Sequence, residues 1–147
     1  LRWDEIVYEP GKLAVVAYKN GSRWADASVE TAGAAAALAL APDRASLHAD
    51  GRDLVFVRVS VVDSAGRLAP RADNRLRFTL EGPGEIIATD NGDPADMTAF
   101  PSPDRRAFNG LALVIVRARA GVSGKLRLSA AGDGLRPAST SIPLAAP

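Results

Sequence analysis

Chemistry in this chain would have to come from a few polar groupings. The largest is Asp90-Asn91-Gly92-Asp93-Pro94-Ala95-Asp96, which runs on through Pro101 and Pro103 to Arg105-Arg106-Ala107-Phe108-Asn109-Gly110. Asp90, Asn91, Asp93 and Asp96 are oxygen donors of the kind calcium selects, and their spacing is that of the first half of a calcium loop. The bidentate glutamate that closes such a loop is missing, and Asp-Asn-Gly-Asp-Pro is equally the composition of consecutive turns whose side chains bond their own backbone. The expectation is no resident metal, with Asp90, Asp93 and Asp96 as weak calcium candidates. The same stretch could instead serve recognition. Asp90, Asn91, Asp93, Arg105, Arg106 and Asn109 would then line a contact with another domain or the rim of a substrate site, the arginines offering charge-assisted bonds to carboxylates or carbonyls. Met97, Phe100 and Phe108 are too apolar for a free polar loop and are expected to fold back, at least in part, on the core.

The other groupings are weaker. His48 is the sole histidine, so a Ser-His-Asp triad would depend on it, and no serine stands in a nucleophile-elbow pattern. Glu81 and Glu85 flank Gly82-Pro83-Gly84. As a general acid and base they would need burial or a like-charged partner to tune their pKa values, and a Gly-Pro-Gly turn with solvated carboxylates explains them more simply. Sugar recognition would need an exposed flat ring, and the candidates are Trp3, Tyr8, Tyr18 and Trp24, with Trp3 and Trp24 as the platforms. Aromatic residues make up 5% of the chain, which argues against a dedicated carbohydrate-binding module. The same tryptophans are better read as core residues.

Composition narrows the classes further. With 18 basic against 17 acidic side chains, a net charge of +1, the chain lacks the basic footprint that nucleic acid or an anionic membrane surface requires. It contains no cysteine, which excludes disulfides, thiolate zinc sites and a thiol nucleophile while leaving the compartment open. No apolar run reaches the roughly 20 residues of a membrane span. No cofactor is implied. The opening residue is Leu1 rather than methionine, and the chain reads as a C-terminal fragment of a longer polypeptide.

The elements that would hold these residues are all strands. Lys12 to Tyr18 and Trp24 to Thr31 are strand-like runs around Asn20-Gly21, the strongest short hairpin signal. Ala34 to Ala41 has alanine's helix propensity but no N-cap and a stop at Pro42, so it reads as linker and first strand, with helix as the minority alternative. Leu54 to Val62 alternates, with Val55, Val57, Val59 and Val61 on one face and Arg58 and Ser60 on the other. Arg75 to Leu80 alternates with Leu76, Phe78 and Leu80 inward. Short strands follow at Glu85 to Thr89, Leu111 to Ala118, Lys125 to Ala130 and Ala138 to Leu144. Between Asp90 and Gly110 no regular element is predicted, and loops beyond about 12–15 residues without structure of their own are usually functional. Seven or so short strands with Gly and Pro turns describe an immunoglobulin-like β-sandwich without the antibody cystine.

Specific residues carry a family resemblance. Tyr8 to Gly21 and Thr31-Ala32-Gly33 resemble the end of the β-sandwich domain that follows the catalytic barrel in bacterial glycoside hydrolase family 2 enzymes of β-galactosidase type. Ala39 to Arg44, Ala49-Asp50-Gly51-Arg52-Asp53-Leu54, Val61-Val62-Asp63, Gly82 to Ile86, Asp90 to Pro94 and Arg106 to Gly110 resemble the invasin-like immunoglobulin domain that comes next in those enzymes. The resemblance implies that residues 1–33 are the closing strands of a truncated β-sandwich and that 34–147 form the immunoglobulin-like domain. It implies a non-catalytic accessory domain, because the family's chemistry belongs to a pair of glutamates on a (β/α)₈ barrel of roughly 250 residues that this chain is too short to contain. The expected partners are the other domains of the parent hydrolase, and galactose-containing glycans if the module touches sugar. The resemblance implies a bacterial parent, periplasmic or secreted. An adhesin-type surface domain is the alternative from another class. A hairpin cut from its sheet exposes open edges, so it is expected either to pack on its own sandwich or to pair with a second copy.

Overall fold

Strand-like runs on either side of an Asn-Gly pair leave the first strands one simple way to meet. In a computed structural model that describes residues 4–145, β1 (Lys12–Lys19) and β2 (Ser22–Glu30) pair antiparallel. Asn20 and Gly21 turn between them with φ of 51° and 79°, the left-handed conformation a two-residue hairpin turn demands of both residues. The register puts Leu13, Val15 and Ala17 opposite Val29, Ala27 and Ala25 on one face, with a bulge at Ala17/Tyr18. The other face is mixed, with Ala14 and Val16 among Lys12, Asp26, Ser28 and Glu30; Lys12 reaches Glu30 at 3.7 Å and Arg23 reaches Asp26 at 2.7 Å. The hairpin belongs to a first unit, residues 1–32, and a second unit comprises 33–147.

The second unit is an all-β sandwich. Its strands are β3 (Ala37–Pro42), β4 (Leu47–His48), β5 (Leu54–Val62), β6 (Arg75–Glu81), β7 (Gly84–Asp90), β8 (Asp104–Arg106), β9 (Leu111–Ala118), β10 (Gly124–Gly132) and β11 (Ala138–Ala145). One sheet runs β4-β11-β10-β6-β8 and the other β3-β5-β9-β7. Strand period two sends every second side chain into the space between the sheets. From one side come Val55, Val57, Val59, Val61, Val114 and Val116, and from the other Leu76, Phe78, Leu126, Leu128 and Ile142, all buried. Each such side chain contributes about 1.5–3 kcal/mol relative to remaining in water, so this core is what fixes the positions of the loops. Asp63 is buried at the end of β5 and accepts backbone N–H bonds from Gly33, Ala65 and Arg67. Those bonds, from Gly33 first, hold its carboxyl below the ordinary range.

Several expectations need correction. The alanine run enters a strand only at Ala37. Two strands were not foreseen: β4, which pairs parallel to β11 through Leu47 and His48, and β8, which divides the supposed long loop and pairs with β6. Among the described residues every regular element is a strand, and no helix is long and apolar enough to cross a membrane.

Candidate functional site

The stretch between β7 and β9 is built around one side chain. Arg105, in the middle of β8, is 2% exposed, and a guanidinium has five N–H donors that cannot be left unpaired in such a place. All find acceptors. Nε donates to Thr89 Oγ1 at 3.2 Å, Nη1 to Asp96 Oδ2 at 3.1 Å and the Thr98 carbonyl at 3.0 Å. Nη2 donates to the carbonyls of Thr89 at 2.6 Å and Ala99 at 3.0 Å. Thr89, fully buried near the end of β7, closes the network by donating its hydroxyl to the Ser102 carbonyl at 2.8 Å while its N–H bonds the Phe100 carbonyl. A bulge at Ile86/Ala88 precedes it in β7, and bulges commonly re-aim the strand that follows.

The carboxylates that could hold a cation are engaged by their own backbone. Asp90 Oδ1 accepts from the N–H groups of Asn91 and Gly92, and Asp93 Oδ1 from Ala95. Asp96 Oδ1 accepts from Thr98, while its Oδ2 receives Asn91 Nδ2 and Arg105. Asn91 also donates to the Arg106 carbonyl and accepts from the Asp93 N–H. Among the described residues no three His, Cys, Asp or Glu side chains converge as a metal site. Hydrogen bonds from Thr98, side chain before backbone, and then from Arg105 push Asp96 down to about 2. A general acid working near neutrality needs the opposite shift.

Four of the six binding candidates meet around one depression, while Asp90 and Asn109 stand outside its lining. Asn91, Asp93, Asp96 and Arg106 border this open depression of about 570 Å³ together with Arg75 and Phe108. Arg106 is exposed and bonds Asp73 through its carbonyl at 3.0 Å and its Oδ2 at 2.9 Å. Arg105 lines the depression from within the protein, its donors already occupied, so its guanidinium is not the surface group expected from sequence. Asn109 occupies a second Asn-Gly turn, with φ of 51° followed by 76° at Gly110, while Phe108 and Leu111 exchange backbone bonds across it. Its visible role is conformational. Met97 and Phe100 do not fold back on the core: they are 92% and 62% exposed, and Phe108 is at 37%. Their place is on the outside because Arg105, not an apolar side chain, fills the interior of this loop. Sequence reasoning missed Thr89, Asp73 and Arg75, and alternation along β6 was the one available signal for Arg75.

The remaining candidates lie elsewhere. His48 is exposed on β4, and its backbone N–H bonds Asp53 Oδ2. Glu85 pairs with Arg117 at 2.7 Å on the outer surface, and Glu81 is exposed. In the first unit Trp24 is 70% exposed with Lys19 Nζ 5.9 Å from its ring centroid. Tyr18 is exposed, and Tyr8 is exposed with its hydroxyl 3.3 Å from Thr31 Oγ1. Trp3 lies outside the described residues.

Sequence and structure comparisons agree on one setting. A family profile described as Glycoside hydrolase family 2 C-terminal domain 5 matches residues 38–141, and one of a domain of unknown function matches residues 1–25. The chain is 43% identical over 137 residues to Beta-galactosidase BoGH2A of Bacteroides ovatus, covering 93% of this chain and 16% of that protein. It is 30% identical over 123 residues to a putative beta-glucuronidase of Formosa agariphila, covering 79% of this chain and 12% of that one. A solved glycosyl hydrolase family 2 member from Bacteroides cellulosilyticus superposes with a TM-score of 0.88 at 30% identity, covering 95% of this chain and 18% of that chain. The chain thus spans a small part of the length of these relatives.

Proposed function

Since the chain belongs to the glycoside hydrolase family 2 C-terminal domain 5 family, we propose that it is a non-catalytic accessory domain of a glycosidase, giving structural support to the catalytic part of its parent. The parent is a hydrolase of β-galactosidase type on this reading, because identity to the β-galactosidase, 43%, exceeds that to the glucuronidase, 30%. The observation that carries the proposal is the Arg105 network. The polar stretch best placed to bear chemistry directs its arginine, its asparagine and a carboxylate at one another, which makes a rigid loop rather than a reactive one. The test is steady-state kinetics of the full-length polypeptide carrying Glu81→Gln, Glu85→Gln, Asp90→Asn or Asp93→Asn. The proposal expects kcat/KM to stay within a factor of about ten, and a loss of 10² or more, the scale of a general acid or base, at any one position would overturn it.

A second reading, sugar recognition, is favoured by the exposed Trp24 ring. Calorimetric titration with galactose, lactose and galactan oligosaccharides, with tryptophan fluorescence in parallel, separates the two. Saturable heat abolished by Trp24→Ala would establish recognition, and silence to millimolar sugar would leave structural support alone.

A further inference from the structure

The two outer faces of the sandwich differ in kind. On the five-stranded sheet the residues that alternate away from the core are Arg75, Arg77, Thr79 and Glu81 on β6 and Lys125, Arg127 and Ser129 on β10, a surface suited to water. On the four-stranded sheet the outward residues of the two central strands are Leu54, Phe56, Arg58 and Ser60 on β5 and Leu111, Leu113, Ile115 and Arg117 on β9. The register sets Phe56 beside Ile115 and Arg58 beside Leu113, with Ala88 of β7 completing the Ile115 row and Ala41 of β3 the Arg58 row. The charged residues of these rows are Arg58 and Asp90, which flank Leu113 from β5 and β7, and the Arg117–Glu85 pair one row beyond Ile115. β9 reads Leu-Ala-Leu-Val-Ile-Val-Arg-Ala, the near-continuous apolar run of a strand covered on both faces rather than the alternation of one covered on a single face. Here one face meets the core and the other carries no strand or sheet of the sandwich, with Leu111, Leu113 and Ile115 half-buried and Phe56 at 37% exposure.

We infer that the outer face of the four-stranded sheet, centred on Phe56, Leu113 and Ile115, is the surface by which this domain docks on another domain of the same polypeptide, one lying outside these 147 residues. The inference rests on the accessory-domain reading and adds to it the place of contact. An apolar centre with charge at its rim is the anatomy of a protein interface. The occupant follows from length: relatives of which this chain covers 16% and 12% carry most of their mass elsewhere in one chain. A tethered neighbour also has an advantage over any free partner. At an effective concentration on the order of millimolar, a contact of only ~100 μM intrinsic affinity stays closed about nine-tenths of the time.

With no cysteine among these 147 residues, each introduced thiol is the only one in the isolated chain. Leu113→Cys and, separately, Phe56→Cys place a thiol on the proposed surface, and Arg127→Cys places one on the polar sheet. Maleimide labelling of each position is followed by mass spectrometry in the isolated 147-residue chain and in the full-length polypeptide. The expected result is labelling slowed about tenfold in the full-length polypeptide at positions 113 and 56 and unchanged at 127. Equal rates in the two contexts at both 113 and 56 would overturn the inference. Protection that appears in the isolated chain and grows with its concentration would assign the face to a second copy and overturn it too. If the thiols are unprotected while removal of the domain still lowers the melting temperature of the full-length enzyme, the support function stands and this surface alone is wrong.

Discussion

Arg105 makes the strongest claim on any single position. A buried guanidinium whose partners are mostly main-chain carbonyls cannot be exchanged for another cation, since a lysine ammonium brings three donors on a compact head instead of five in a planar fork. Removing it takes the charged donor from the Asp96 carboxylate and one donor from each of three carbonyls. Arg105→Ala is therefore expected to lower unfolding stability by about 3 kcal/mol, measured by urea denaturation, with Arg105→Lys recovering little of it. Arg106→Ala, which breaks an exposed pair with Asp73, should cost less than about 1 kcal/mol. Equal losses for the two arginines would contradict the network. Asp96 supplies the pH dependence. Its carboxyl lies at about 2 when folded against 3.8 ordinarily, so its contribution is complete above the ordinary value and is lost as pH falls from there through the folded value. The denaturation midpoint of the native chain should fall across that window more steeply than that of Asp96→Asn. Parallel slopes would mean that Asp96 is not held in this way.

At the scale of elements, two Asn-Gly turns do the same work, one in each unit. Gly110 is the more constrained, because a Cβ built there would sit 2.4 Å from the Ala69 carbonyl oxygen at a φ of +76°. Gly110→Ala should destabilise by more than about 1 kcal/mol, seen as a lowered thermal midpoint, and an unchanged midpoint would show that the β8–β9 turn is soft. The long strands were legible because period two, as in β5, and an unbroken apolar run, as in β9, are both strong signals, and the limits of these two strands match the sequence reading residue for residue. Short strands carry no period. β4 has two residues and β8 three, and what makes them strands is a neighbour that only the fold supplies. The site was half legible for the same reason. Asp90, Asn91 and Asp93 announced turns through composition, whereas Arg105 resembled a surface charge because arginine is rarely buried, and its acceptors come from residues six to sixteen positions away that no local pattern joins. The outward positions of Met97 and Phe100 follow from that one inward side chain.

For the whole molecule, the two units have unequal means of support. The sandwich encloses a core between two sheets, while the hairpin of residues 12–30 leaves Leu13, Val15 and Val29 exposed, and a lone two-stranded hairpin is marginal in water. Limited proteolysis of the 147-residue chain should therefore clip within residues 1–32 first and leave residues 33–147 intact, and a sandwich cut as fast as the hairpin would contradict this. On the proposed reading the domain stabilises its parent by burying surface rather than by supplying a reactive group. The measurement that tests this most directly compares the full-length polypeptide with one lacking residues 33–147, recording thermal unfolding and steady-state kinetics on a β-galactoside. Structural support predicts a lower melting temperature, with kcat of the folded enzyme kept within a factor of about ten. A folded enzyme with an unchanged melting temperature whose kcat falls by 10² or more, the contribution of a catalytic group, would contradict it.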